Sequence, residues 1–189
     1  MLLLLLPWLY QCEFTETVQR PVGRLGQAWL PVNYDAGVRY AGPKGDTIVL
    51  KEQSRDTTYV ASSSAGGAEV QVFSQRLNIL LACDTPYTRI RYILTAAPQA
   101  PLQENARDEL QVDYQSQDET RSLRLDMKPI AECLSPSCIL RDSLLLRSLA
   151  ADSVYLNRTD KSLSVLYLNK RLKVVGFRTP ASHLYERIN

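Results

Sequence analysis

Apolar and polar residues alternate with a period of two along much of this chain, the signature of half-buried β-strands. Leu110, Val112 and Tyr114 alternate with Gln111, Asp113 and Gln115. After the polar stretch Ser116 to Glu119, Leu123, Leu125 and Met127 alternate with Ser122, Arg124, Asp126 and Lys128. A hairpin is expected there, ended by Pro129, because proline cannot donate to a ladder. The pattern returns near the C-terminus. Leu163, Val165 and Tyr167 lead to a polar turn at Asn169 and Lys170, Leu172, Val174 and Gly176 resume beyond it, and Val154 to Leu156 adds a third short run. A three-stranded antiparallel meander follows from these spacings.

The rest of the chain reads the same way, with weaker signals. Tyr40 ends a strand at the turn Gly42-Pro43-Lys44-Gly45-Asp46, Thr47 to Lys51 leaves it, and Arg55 to Ala61 continues or restarts that strand after a bend. Ser62 to Gly67 is small, polar and glycine-rich, which makes it the clearest loop. Val70, Val72 and Phe73 open another strand. Leu77 to Cys83 is apolar enough for burial on both faces, and Thr88 to Thr95 turns Ile90, Tyr92 and Leu94 inward. Ala96 to Asn105 is a loop joining two halves of the sheet system, and Ile139 to Leu146 is short enough to be a strand. The expected fold class is therefore all-β: an antiparallel meander of about nine to eleven short strands at the ~8–12-residue intervals of sandwiches and barrels. Period alone leaves a closed or partly open barrel and a two-sheet sandwich equally open, since both bury one face of each strand.

Ahead of this domain, Met1 to Cys12 reads MLLLLLPWLYQC, too short for a membrane span of ~20 apolar residues. It matches the core of a signal peptide ending at a cysteine, so Cys12 is the candidate lipidation site, although no basic leader precedes it and Tyr10 is bulky. The alternative is an apolar strand with Cys12 in the core. Residues 13–27 contain Pro21, Gly23 and Gly26 among polar residues and are expected as a flexible tether, with a single β domain over residues 28–189.

Charge is nearly balanced along the chain. The chain has 189 residues, with 22 Lys and Arg against 20 Asp and Glu, and the excess is the same on either side of Leu94, so no nucleic-acid arm is indicated. Arg158, Lys161, Lys170, Arg171, Lys173 and Arg178 make the C-terminal hairpin basic, a candidate surface for a membrane or an acidic polymer, or simply a soluble sheet edge. His183 is the only histidine, which excludes a multi-histidine metal site or a His-based triad within one chain; no cofactor and no metal are expected. Asp108-Glu109 and Asp118-Glu119 flank one strand, where solvated charge is the commoner role than glycoside hydrolysis. Cys133 and Cys138 bracket Leu134-Ser135-Pro136-Ser137, a loop that lets the two sulfurs meet as a disulfide in an exported protein, with free thiols the alternative. Cys83 reads as a small buried hydrophobe that is also able to pair with either.

The order Trp29-Leu30-Pro31, Gly45-Asp46-Thr47-Ile48, Asp152-Ser153-Val154-Tyr155-Leu156, Leu172 to Arg178 with Gly176-Phe177, and Tyr185-Glu186-Arg187-Ile188 resembles uncharacterised secreted lipoproteins of the Bacteroidota. The resemblance implies an all-β domain and an envelope location; it implies no activity. The expectation is a non-enzymatic lipoprotein attached to the outer membrane, facing periplasm or cell surface, monomeric, with a binding or structural role toward a protein or envelope polymer and no nucleic-acid partner. A lipocalin-like carrier of a small apolar ligand is the alternative, and a carboxylate-based hydrolase the second alternative. A roomy pocket lined by Tyr and Leu would mark the carrier; a filled core would mark the binding or structural role.

Overall fold

One antiparallel sheet curls round until its two ends nearly meet. The structure, a computed structural model, describes residues 16–32, 36–62, 70–85, 87–97, 107–117, 119–128, 131–145, 150–158, 164–171, 173–179 and 182–188. In chain order they form β1 (Glu16–Arg20), α1 (Arg24–Gln27), β2 (Val38–Ala41), β3 (Thr47–Ser62), β4 (Val70–Asp84), β5 (Tyr87–Thr95), β6 (Glu109–Ser116) and β7 (Thr120–Asp126). There follow β8 (Glu132–Cys133), β9 (Cys138–Leu145), β10 (Ala150–Arg158), β11 (Ser164–Asn169), β12 (Lys173–Arg178) and β13 (Leu184–Ile188). The ladder order is β8-β7-β6-β5-β4-β3-β2-β13-β12-β11-β10-β9, with β1 paired in parallel to the start of β4. The last strand, β13, pairs with the early β2, and this joins the C-terminal meander to the N-terminal strands. The result is a nearly closed barrel with one unsealed seam, between β8 and β9.

The expected hairpins are present as β6–β7 and β11–β12, and Ile139 lies in a strand. The described residues hold thirteen strands rather than nine to eleven, and two of these are long: β3 has 16 residues and β4 has 15. A register shift between Glu52 and Ser54 bends β3 without ending it, so the bend is a bulge inside one strand. Leu77 to Cys83 is not buried on both faces: Ile79, Leu81 and Ala82 are buried, while Leu77, Leu80 and Cys83 are half-buried on a sheet whose outer face meets water. The loop after β5 joins two neighbouring strands instead of two halves of the sheet, because β5 and β6 pair directly; residues 98–106 themselves lie outside the described set, as do 63–69 of the glycine-rich loop.

Inside the barrel, alternate residues of β5, β6 and β7 are fully buried: Ile90, Tyr92 and Leu94, then Leu110, Val112 and Tyr114, then Leu123 and Leu125. Phe177 stands among Tyr40, Tyr114 and Tyr185 with ring centroids 5.0, 5.3 and 5.6 Å away. Stacked and tilted rings of this kind add to the packing of the core where they meet. In β12 a second register shift, between Tyr167 and Leu168 of its partner, leaves Val175 without a cross-strand pair. The main-chain groups of Val174 are thereby available to the core: Tyr40 Oη donates to its carbonyl at 3.0 Å, and its N–H donates to Tyr92 Oη at 3.1 Å. The shift lets Val174 and Phe177 of β12 both enter the core while Val175 faces away. In β11, which keeps its alternation, Leu166 and Leu168 pack in the core, whereas Tyr167 joins Val154, Leu156 and Val175 in a smaller cluster on the other face, opposite to the side expected for Tyr167.

The outer face of β5–β7 is polar. Asp113 accepts from Ser122 Oγ at 2.6 Å and from Gln111 Nε2 at 2.9 Å, and Arg124 grips Glu109 with two hydrogen bonds of 2.6 and 2.9 Å. Polar groups outside and apolar groups inside reverse the arrangement of a barrel that faces lipid. No helix among the described residues is long and apolar enough to cross a membrane.

Candidate functional site

Residues 16–27 of the expected tether are built into the fold, and 13–15 lie outside the described residues. Residues 16–20 are β1, which adds to the projecting start of β4, and residues 21–32 form a strap across one end of the barrel. Val22, Trp29 and Leu30 bury their side chains in the main core, and Trp29 meets the ring of Tyr155 edge-on at 5.4 Å. Gly26 comes so close to Leu94 that a Cβ there would lie 2.8 Å from Leu94 Cδ1, so a larger residue would force the Leu94 side chain to move. Apolar burial outweighs the freedom that the Pro and Gly content suggested. A signal was present, because positions 22, 26, 29 and 30 have the spacing of one helical face.

Four barrel side chains hold the strap by its backbone. The Val22 N–H donates to Gln75 Oε1 at 2.9 Å, and the Gly23 N–H donates to Asp108 Oδ2 at 2.6 Å. Arg55 Nη2 donates to the Pro31 carbonyl at 3.0 Å. Lys173 Nζ donates to the Ala28 carbonyl at 2.5 Å and to the Lys170 carbonyl at 2.8 Å. Ala28 is the C-cap of α1, so its carbonyl has no partner in the helix and accepts the ammonium instead. Burial pushes Lys173 down to about 8, and the like charges of Arg187 and Lys170 add to this. Burial likewise pushes the Asp108 carboxyl up, against the hydrogen bonds from the Gly23 and Ala97 backbone that favour its charged form.

These positions divide the expected basic surface. Lys173 is only 9% exposed and belongs to the strap's anchorage, not to the surface. It turns inward because its φ of 64° places it in the left-handed region at the end of the β11–β12 turn, where Asn169 Oδ1 accepts from the Arg171 N–H at 2.8 Å. Lys170 and Arg171 are exposed in that turn. Arg178 sits half-buried at the far end of β12, donating to Tyr167 Oη at 3.3 Å and to the Ser182 carbonyl at 3.1 Å. Arg158 ends β10, and Lys161 lies outside the described residues, as does Cys12. No single basic face unites the described members of the set.

Cys133 and Cys138 form a disulfide, with Cα atoms 5.4 Å apart. Because Cys133 closes β8 and Cys138 opens β9, the bond lies at the seam where the two ends of the strand order meet. Cys83 is free and half-buried, its thiol 3.3 Å from the Thr85 carbonyl. Of the four expected carboxylates, Asp118 lies outside the described residues, and the others do not converge. Glu109 and Glu119 lie at opposite ends of β6, roughly 23 Å apart at the rise of a strand, with Glu109 bound to Arg124 and Glu119 to Arg121. Among the described residues no group of His, Cys, Asp and Glu is arranged to hold a metal ion.

The remaining feature is the ribbon. Beyond the barrel, β3 and β4 continue as a pair from Thr57 and Leu77 to Ser62 and Val72, with β1 along the other side of β4. Over Arg55 to Ala61 every residue of β3 is exposed, and no described strand pairs with that edge. A groove of about 610 Å3 lies over the face of β3, β4 and β5 next to the ribbon, walled by Asp56, Thr58, Leu80 and Arg91 among others. No family model, curated protein or solved structure matches this chain.

Proposed function

We propose that the chain is a non-catalytic binding domain of the bacterial envelope, anchored through a lipid on Cys12, whose working surface is the free edge of β3. The observation that carries this reading is the edge at Asp56 to Ala61, exposed and paired to no described strand. A strand edge presents alternating N–H and C=O groups, which an extended polypeptide satisfies by adding a strand. The segment Thr57-Thr58-Tyr59-Val60 has strong β preference and no proline to blunt it. The occupant is therefore an extended segment of another envelope protein. The packed aromatic cluster around Phe177 supports a binding role over a carrier, and the separation of Glu109 from Glu119 supports it over hydrolysis.

The anchor follows from the leucine run that meets Cys12. Since β1 starts at Glu16, only residues 13–15 separate it from Cys12, a reach of about 14 Å at most. Glu16 pairs with Val70 at the outer end of the ribbon, so the lipid would hold the ribbon tip at the membrane with the barrel beyond it.

Two measurements test the reading. Mass spectrometry of the native N-terminus should find acylated Cys12 as the first residue; a soluble chain that retains Met1 ends the anchor. A photo-crosslinking residue at Thr57 should give one discrete protein adduct in native envelopes, absent when the crosslinker is at Gln111 on the outer face of β6. Equal labelling at both positions refutes the edge. An adduct of twice the chain's mass makes the occupant a second copy and overturns a foreign strand.

A further inference from the structure

A second site opens where the strap meets the barrel rim. A cleft of about 390 Å3 lies there, with Arg24 and Leu25 on the strap side and Arg107, Asp108, Met127 and Lys128 on the rim. Three cationic side chains share this space with one carboxylate, and that carboxylate is committed: Asp108 accepts from the Gly23 N–H, and neither arginine is among the groups that set its ionisation. Lys128 is neutralised by Asp126 and Glu132. Among the described residues the side chains of Arg24 and Arg107 make no hydrogen bond or ion pair, although they line the same cleft from its two sides. Like charges brought to one cleft repel unless an anion lies between them.

We infer that this cleft binds a phosphate ester. The planar fork of arginine matches phosphate oxygens two at a time, and two such forks from opposite walls suit a group with three or four oxygens. The volume exceeds that of a bare phosphate, and Leu25 and Met127 give an apolar wall for a short carbon chain attached to it. Such a group is carried by a soluble phosphate ester and by a phospholipid headgroup alike. This inference does not depend on the β3 edge or on the lipid anchor.

The test is a calorimetric titration of the full chain with glycerol 3-phosphate in phosphate-free buffer, together with co-sedimentation on phosphatidylglycerol vesicles. Arg24→Ala and Arg107→Ala are exposed substitutions, and circular dichroism confirms that each variant folds. Each should weaken binding at least about tenfold, the loss of a charged hydrogen bond, while Lys44→Ala at the opposite end of the barrel leaves it unchanged. Arg107→Lys keeps the charge without the fork and should fall between. Titration by the ester without vesicle binding supports the cleft with a soluble source; vesicle binding abolished by Arg107→Ala supports it with a headgroup. Absence of saturable binding to either probe, or binding that survives both alanine substitutions, overturns the assignment.

Discussion

Lys173→Met should flatten a rise in stability with pH that the wild-type chain owes to one buried ammonium. In the folded protein Lys173 is pushed down to about 8 from an ordinary value of 10.5. The unfolded chain therefore holds this proton more tightly than the folded one, and stability increases as pH rises through the window between those two values. Each pH unit inside the window is worth about 1.4 kcal/mol, and the folded amine is mostly protonated at pH 7, so the gain from pH 7 to pH 9.5 amounts to about 2 kcal/mol. Tyr114 and Tyr185, pushed up to about 12 chiefly by burial, act in the opposite sense, but mainly above about pH 10, where unfolded tyrosines ionise. Methionine keeps the length of the side chain and carries no charge. It removes the donor to the Ala28 and Lys170 carbonyls together with the desolvation of the ammonium, so the variant's stability at pH 7 should change little while its pH dependence changes much. Urea unfolding followed by tryptophan fluorescence, with Trp29 buried against Tyr155, gives both curves. The difference between wild type and variant should grow by about 2 kcal/mol in favour of wild type between pH 7 and 9.5. Parallel curves over that range would show that the amine titrates as if exposed, and the strap anchorage described for it would be wrong.

Two further substitutions probe the frame. Cys133→Ser with Cys138→Ser should lower stability by about 2 kcal/mol, near the chain-entropy value for so short a loop, and lower the midpoint of thermal unfolding by roughly 4–8 °C. Thiol titration of the denatured, unreduced chain carrying Cys12→Ser should find the Cys83 thiol alone; three reactive thiols would contradict the bond. Tyr92→Phe leaves the Val174 N–H without its acceptor in the core and should cost about 1–3 kcal/mol in urea unfolding, whereas Tyr40→Phe orphans only a carbonyl and should cost less. A reversed order would mean that the Val174 main chain is satisfied in another way.

Period-two alternation determined, from the sequence alone, that this chain is all-β, and it located the β6–β7 and β11–β12 hairpins. Pairing of strands adjacent in sequence needs only local contacts and a short turn, so its signal is local. The Cys133–Cys138 bond was legible for the same reason, because four intervening residues with Pro and Ser bring the sulfurs together whatever surrounds them. Alternation reports which face a residue takes and says nothing about which distant strand lies beside it. Hence the pairings of β13 with β2 and of β1 with β4, which build the barrel and the ribbon, were decided by the tertiary structure. So was the strap, where the burial of Val22, Trp29 and Leu30 overrode a linker-like composition. Lys173 shows the limit most plainly. Strict alternation placed it outward beside Val174, but its own left-handed backbone at the end of the turn breaks that alternation, and the ammonium enters the barrel end, where it donates to two backbone carbonyls.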